Sequence, residues 1–282
     1  MNLSSIATVA ARLAAVASVL LVNLAGCVTQ PSSDPATLGV LDGILASQHR
    51  AAENRARDSY RHPKETLQFF GIRQDMTVVE VWPGAGWYTE ILAPLLRDRG
   101  KLYAATLDAN SGEYAKNVVE TYRSKLQLRP DLYDKVTITT LAAPPAKNEI
   151  APPGSVDLVV TFRNLHNWMM FGWEKDALAN IHAALKSGGV LGIVGHRGNS
   201  TLPQDPKAAS GYVTEEYAIR LIESAGFRLV ARSEINANPK DTKEYEQGVW
   251  TLPPGFAAGD EARYRQIGES DRFTLKFVKV DR

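Results

Sequence analysis

The sequence of 282 residues contains one cysteine, Cys27. A lone thiol forms no internal disulfide and supplies no Cys-based zinc spacing. Charge of one sign is also missing, since 32 Lys+Arg face 31 Asp+Glu. Such a balance creates no field that would draw nucleic acid, and no nucleic-acid partner is expected. Neither His-x-His nor His-Glu-x-x-His spacing occurs, and there is no internal repeat. The apolar stretch Leu13–Val22 is too short to cross a bilayer as a permanent helix. The composition that remains, 44% hydrophobic and 22% charged, is ordinary for a globular chain and excludes disorder and collagen-like repeats. The length suits one large domain or two small ones, with a full core.

Residues 1–26 combine a basic residue, a short apolar run and the small residues Leu24-Ala25-Gly26 directly before Cys27. This pattern marks an export signal. It resembles the bacterial lipoprotein signal, which implies cleavage after residue 26 and an acylated Cys27 holding the chain to a membrane. Val28 rather than Asp after the cysteine implies an outer-membrane lipoprotein facing the periplasm. With Cys27 acylated, no thiolate nucleophile remains. Residues 27–37 read as a polar, Pro/Ser-rich tether.

From residue 38 onward strands and helices alternate. Helical patterning runs over 38–60, and Pro63 opens a second helix that ends near Gly71. Strands are expected at 77–82, 102–106, 136–140, 156–162, 190–196, 227–235 and 273–280. Helices are expected at 87–98, 112–126, 174–186 and from Thr214 to Gly226. Pro94 falls inside its helix and costs it a hydrogen bond. Lys186-Ser187-Gly188-Gly189 reads as a glycine C-cap. The nearly all-apolar stretch 156–162 fits a parallel strand covered on both faces. One doubly wound α/β domain over 38–282 follows, with N-terminal helices and a long segment, 236–272, between the last two strands. Trp250, Pro253, Pro254 and Phe256 suggest that this segment is an ordered flap; a surface excursion packed on the sheet edge is the alternative.

Ligands of open parallel sheets bind beyond the carboxyl ends of the strands, where strand order reverses. Four segments end there: 80–88, 106–108, 162–168 and 196–198. In the first, Gly84 and Gly86 let backbone approach a ligand at a helix start. In the third, Arg163, Asn164, His166, Asn167 and Trp168 follow a buried strand and are expected to line a cleft. His166 suits a general base, because an imidazole ordinarily titrates near neutrality. His196 and Arg197 arrive from the neighbouring strand, so the two histidines could meet; both could equally serve only to hydrogen-bond loop backbone. His182 reads as structural, and His49 and His62 carry no assignment. A metal held by the two histidines with Asp108, Glu269 or Asp271 is a weaker reading. A salt bridge from Gly268–Arg272 that closes the flap is the more conservative one.

Glu80-Val-Trp-Pro-Gly84-Ala-Gly86 resembles the first motif of class I S-adenosylmethionine-dependent methyltransferases. Asp157-Leu-Val-Val looks like their strand four, and residues 185–191 look like the turn before their strand five. A branch of exported bacterial proteins described as predicted methyltransferases is the closer match. It shares the motifs at Trp82–Tyr88, Phe162–Trp168, His196-Arg197, Asn238–Asp241 and Gly268–Arg272, over nearly all of the chain after the signal.

The resemblance implies a mostly parallel seven-stranded sheet, S-adenosylmethionine as cofactor and a small-molecule or envelope acceptor. Glu80, Gly84, Gly86 and Asp108 would bind the cofactor. Asn164 and His166 would orient or deprotonate the acceptor, supported by His196 and Arg197, with no metal. Three usual contacts are altered. Trp82 stands where the pattern has a glycine, Thr106 stands where an acid ends strand two, and Leu141-Ala142-Ala143 lacks the acid after strand three. S-adenosylmethionine is moreover a cytoplasmic metabolite. Methyl transfer is the expected activity; the alternative is a non-catalytic binding or accessory protein of the envelope on the same fold.

Overall fold

A computed structural model describes residues 33–146 and 148–281. The expected signal at 1–26, Cys27 and the first part of the tether lie outside the described residues. The strands are β1 (Thr77–Val81), β2 (Lys101–Thr106), β3 (Thr137–Thr140), β4 (Val156–Phe162), β5 (Leu185–His196), β6 (Phe227–Ser233) and β7 (Arg272–Lys279). They form one sheet in the order β3-β2-β1-β4-β5-β7-β6. All pairings are parallel except those of β7, which runs antiparallel to β5 and β6. Strand order reverses between β1 and β4, which places the expected binding crevice at their carboxyl ends.

Alternating side chains of the central strands feed two cores. Val79, Val81 and Val159 point to one, and Val78, Leu158 and Val160 to the other. Covering both faces is why these strands are apolar throughout. The second core is covered by α1 (Pro35–Ala46), α4 (Pro63–Phe70), α5 (Thr89–Leu96), α6 (Glu113–Leu128) and α7 (Pro130–Tyr133), with the short α2 (Ala52–Arg55) and α3 (Asp58–Arg61) joining α1 to α4. The first is covered by α8 (Leu165–Phe171), α9 (Glu174–Ala184) and α10 (Glu215–Ser224). The segment 236–272 carries a 3-10 turn at Gly248–Thr251 and α11 (Glu261–Ile267).

Four local expectations change. The helix begins at Pro35, inside the expected tether, because Asp34 caps it by accepting from the Thr37 N–H at 2.8 Å. Helical patterning over 38–60 breaks after Ala46, where two polar side chains turn inward. His49 Nε2 donates to Glu90 O at 2.8 Å, and Arg50 forks onto Asp58 at 2.6 and 2.8 Å. Glu90 O is the carbonyl that Pro94, lacking an N–H, leaves without its helical donor. A helix absent from the expected set follows β4, since α8 starts at Leu165 and ends on Gly172 at φ +74. Finally, Lys186–Gly189 is no helix cap. The helix stops at Ala184, and the Ser187-Gly188-Gly189 turn lies within β5 opposite a register shift between Val156 and Leu158. There Gly189 runs so close to Lys186 O that a Cβ would sit 2.9 Å from it.

Candidate active site

The carboxyl ends of β1 and β2 open into a cleft of about 690 Å³, a size typical of small-molecule sites. Gly84, Asp108, Asn164 and Trp250 line it, together with Leu141–Ala143 beyond β3. Gly84 has φ +58, and no atom lies within 4 Å of where its Cβ would be, so its backbone is bare toward the cleft. Asp108 turns its own loop, accepting the Asn110 N–H at 2.9 Å through Oδ1. Its Oδ2 takes no hydrogen bond among the described residues and is available to a ligand. Asn164 is buried and donates from Nδ2 to Val81 O at 2.9 Å and to Thr161 at 3.1 Å, which leaves its carbonyl oxygen for the cleft. Tyr114 and Phe171 are strongly exposed and line the cleft too, an apolar surface that a bound molecule would cover.

Trp82, at φ +48, lines the floor without filling the cleft. Its Nε1 donates to Leu141 O at 2.9 Å, bridging the ends of β1 and β3, and its ring packs 5.6 Å from Trp173 and 6.2 Å from Trp168. Trp168 itself is fully buried and belongs to this aromatic core rather than to the cleft. Tyr88 is stacked on Phe162 at 3.5 Å, away from the cleft.

The remaining sequence candidates sit elsewhere. Glu80 does not reach the cleft wall. It is buried behind the turn, where it accepts from Thr89 Oγ1 at 2.6 Å, and burial pushes its carboxyl up to about 7. Gly86 is not part of the cleft lining; it packs against α6, where a Cβ would meet the Tyr122 ring at 3.2 Å. Arg197 is turned away from the cleft toward the sheet edge, bonded to Glu234 at 2.6 Å and Glu215 at 3.3 Å.

His166 and His196 do meet, with ring centroids 5.3 Å apart, and His166 also lies edge-on to Trp250 at 5.9 Å. Both rings are buried beside the cleft. Burial and, after it, the charge of Arg163 push His166 down to about 4, so it is neutral at pH 7 and a weaker base than an ordinary imidazole. His196 is held well below the usual imidazole range by burial and by His166. Its Nδ1 lies 2.6 Å from Ser270 Oγ. His182 packs edge-on to Phe227 and reaches Val280 O at 3.2 Å.

Segment 236–272 is held by the two motifs near its ends. Asn238 N donates to Asp271 at 3.0 Å, Asp271 N donates to Asp241 at 2.8 Å, and Lys243 pairs with Asp271 at 2.9 Å. The next residues carry a feature that the sequence did not reveal. Glu269 is buried among Arg57 at 2.5 Å, Arg61 at 3.4 Å and Arg272, while Asp271 is taken by Lys243. Among the described residues no group of three His, Cys, Asp or Glu side chains is placed to hold a metal ion. Arg57 and Arg61, one helical turn apart, were a visible spacing; their meeting with Glu269 was not.

No family model matches the sequence, and no curated protein matches it. Solved structures do match. An S-adenosylmethionine-dependent methyltransferase from Aquifex aeolicus superposes at TM-score 0.54 and 18% identity, covering 88% of this chain and 99% of that one. The [4+2]-cyclase SpnF superposes at TM-score 0.55 and 16% identity, covering 87% and 92%. At such identities the likeness is one of fold: the chain has the doubly wound, class I methyltransferase-like architecture.

Proposed function

We propose that the chain transfers a methyl group from S-adenosylmethionine to a small-molecule or envelope acceptor. One observation carries this reading: a single cleft of about 690 Å³ at the switch point is lined both by the bare backbone of Gly84 and by Asp108, whose Oδ2 takes no hydrogen bond among the described residues. These residues suit an adenosyl group, with Asp108 accepting from sugar hydroxyls and Gly84 allowing close approach. Bound there, S-adenosylmethionine would supply an electrophilic methyl group. The chain's own part is then chiefly placement. Asn164, its amide fixed on Val81 and Thr161, offers a rigid acceptor at the boundary between the cleft and the histidine pair. His166, neutral and desolvated, accepts a hydrogen bond from an acceptor whose proton is easily lost.

A second reading has its own support. SpnF shows that this architecture also hosts a cyclase, and Glu80, the acid of the first motif, faces Thr89 instead of the cleft. A protein that binds its ligand in this cleft without transferring a methyl group fits those two facts.

Calorimetry and thermal melting of the whole chain with S-adenosylmethionine separate the two. Methyl transfer requires saturable binding, which Asp108→Asn weakens by about tenfold or more through loss of a charged hydrogen bond. Absence of heat and of any melting shift at millimolar cofactor rejects it. We further propose that acylated Cys27 anchors the chain to the outer membrane, facing the periplasm. Labelled fatty acid should enter the wild-type chain and not Cys27→Ser.

A further inference from the structure

Arg163 directly follows β4 at φ +63, its N–H fixed to Val194 O at 2.7 Å. Among the described residues its guanidinium forms no ion pair and no hydrogen bond. Its neighbours cannot supply a counter-charge. Arg57, Arg61 and Arg272 all converge on Glu269, so one carboxylate already serves three guanidinium groups. Nearby Arg50 is matched separately, by Asp58 at 2.6 Å and Glu90 at 3.9 Å. Arg163 therefore adds an uncompensated cation to an already positive cluster.

The side chains around Arg163 are enclosed by the fold. Arg61, Tyr88, His166, His196 and Arg272 are buried, yet Arg163 in their midst keeps accessible surface. Burial and the charges of Arg61 and Arg272 push its pKa well down, so the cation is costly as it stands. Asn164, the next residue, and Trp250, which packs against His166, both line the cleft, so Arg163 and His166 lie next to its wall.

We propose that Arg163 anchors an anion subsite beside the cleft, on its acceptor side, receiving the carboxylate or phosphate of an acidic small-molecule acceptor near the His166–His196 pair. Assignment to the acceptor rests on the methyl-transfer reading; the anion site itself does not. A planar guanidinium suits both oxyanions, because each can accept two parallel N–H bonds. The same charge compensation would relieve one cause of the low His166 pKa, tying anion binding to a stronger base beside it.

The test uses the whole chain, with inorganic phosphate and succinate titrated separately against chloride at matched ionic strength. At least one of the two should raise Tm saturably where chloride does not, and the tighter of them identifies the acid carried by the acceptor. Arg163→Met should abolish that response and raise the anion-free Tm by about 2–4 °C, because it removes an unpaired, half-buried cation. Arg163→Lys, which keeps the charge and loses the fork, should bind about tenfold more weakly. An unchanged response in Arg163→Met, or a lower anion-free Tm, overturns the site. Competition between the anion and S-adenosylmethionine overturns its assignment to the acceptor. Anion binding through Arg163 without any cofactor binding leaves the site standing and removes methyl transfer; cofactor binding without an anion response does the reverse.

Discussion

Glu80 and His166 are both buried behind the cleft wall, and burial displaces both of their pKa values, with opposite consequences for stability. The Glu80 carboxyl rises from 4.5 to about 7, so the folded state holds its proton more tightly than the unfolded chain. Stability from this residue is present at low pH and is lost as pH rises through that window. His166 falls from 6.5 to about 4, so the unfolded chain binds the proton first and stability from it is lost as pH drops through that window. Glu80→Gln keeps an oxygen for the Thr89 hydroxyl and removes the buried charge. It should stabilise the protein at about pH 8 by up to about 3 kcal/mol and change little at about pH 5. Calorimetric melting at the two pH values checks this, and equal shifts at both would contradict the pKa assignment. Gly84, Asp108 and Asn164 were legible because their sequence positions directly follow strands. The isolation of Arg163 was not, because it depends on Glu269 being claimed by Arg61, 208 positions away.

Among the elements, α5 shows how a local rule and a distant residue combine. Pro94 was expected to cost its helix a hydrogen bond, and it leaves Glu90 O without the usual donor. The helix persists because His49, at the turn after α1, donates to that carbonyl at 2.8 Å while Ser47 Oγ supports its other nitrogen at 2.8 Å. His49→Ala should therefore destabilise the chain by about 1–2 kcal/mol, measured by urea unfolding, and Pro94→Ala in that background should recover part of the loss. His49 carried no assignment in the sequence because nothing local distinguishes a bonded imidazole from a solvated one. The glycines at 188 and 189 were misread for a related reason. A helix C-cap and a turn within a strand both call for glycine, and only pairing with β4 decides between them.

For the whole molecule, Glu269 is the point where the N-terminal helices, segment 236–272 and the last strand are joined. Burial would raise its carboxyl, but Arg272 and Arg61 outweigh this and hold it well below the ordinary carboxylate range. Its contribution is therefore present at and above that range and is lost only as pH falls through its low folded value. Glu269→Gln should imitate that loss at neutral pH. It strands buried guanidinium groups and should cost about 3–5 kcal/mol, seen as a lower urea midpoint. The sequence alone determined the alternation of strands and helices, the apolar central strands and the glycine turn at the switch point, because each follows from local periodicity and backbone freedom. Tertiary structure alone decided which side chains face the cleft. It turned Glu80 and Arg197 away, gathered Arg57, Arg61 and Arg272 around one carboxylate and left Arg163 without one, because pairing and desolvation depend on neighbours that the chain brings together only when folded.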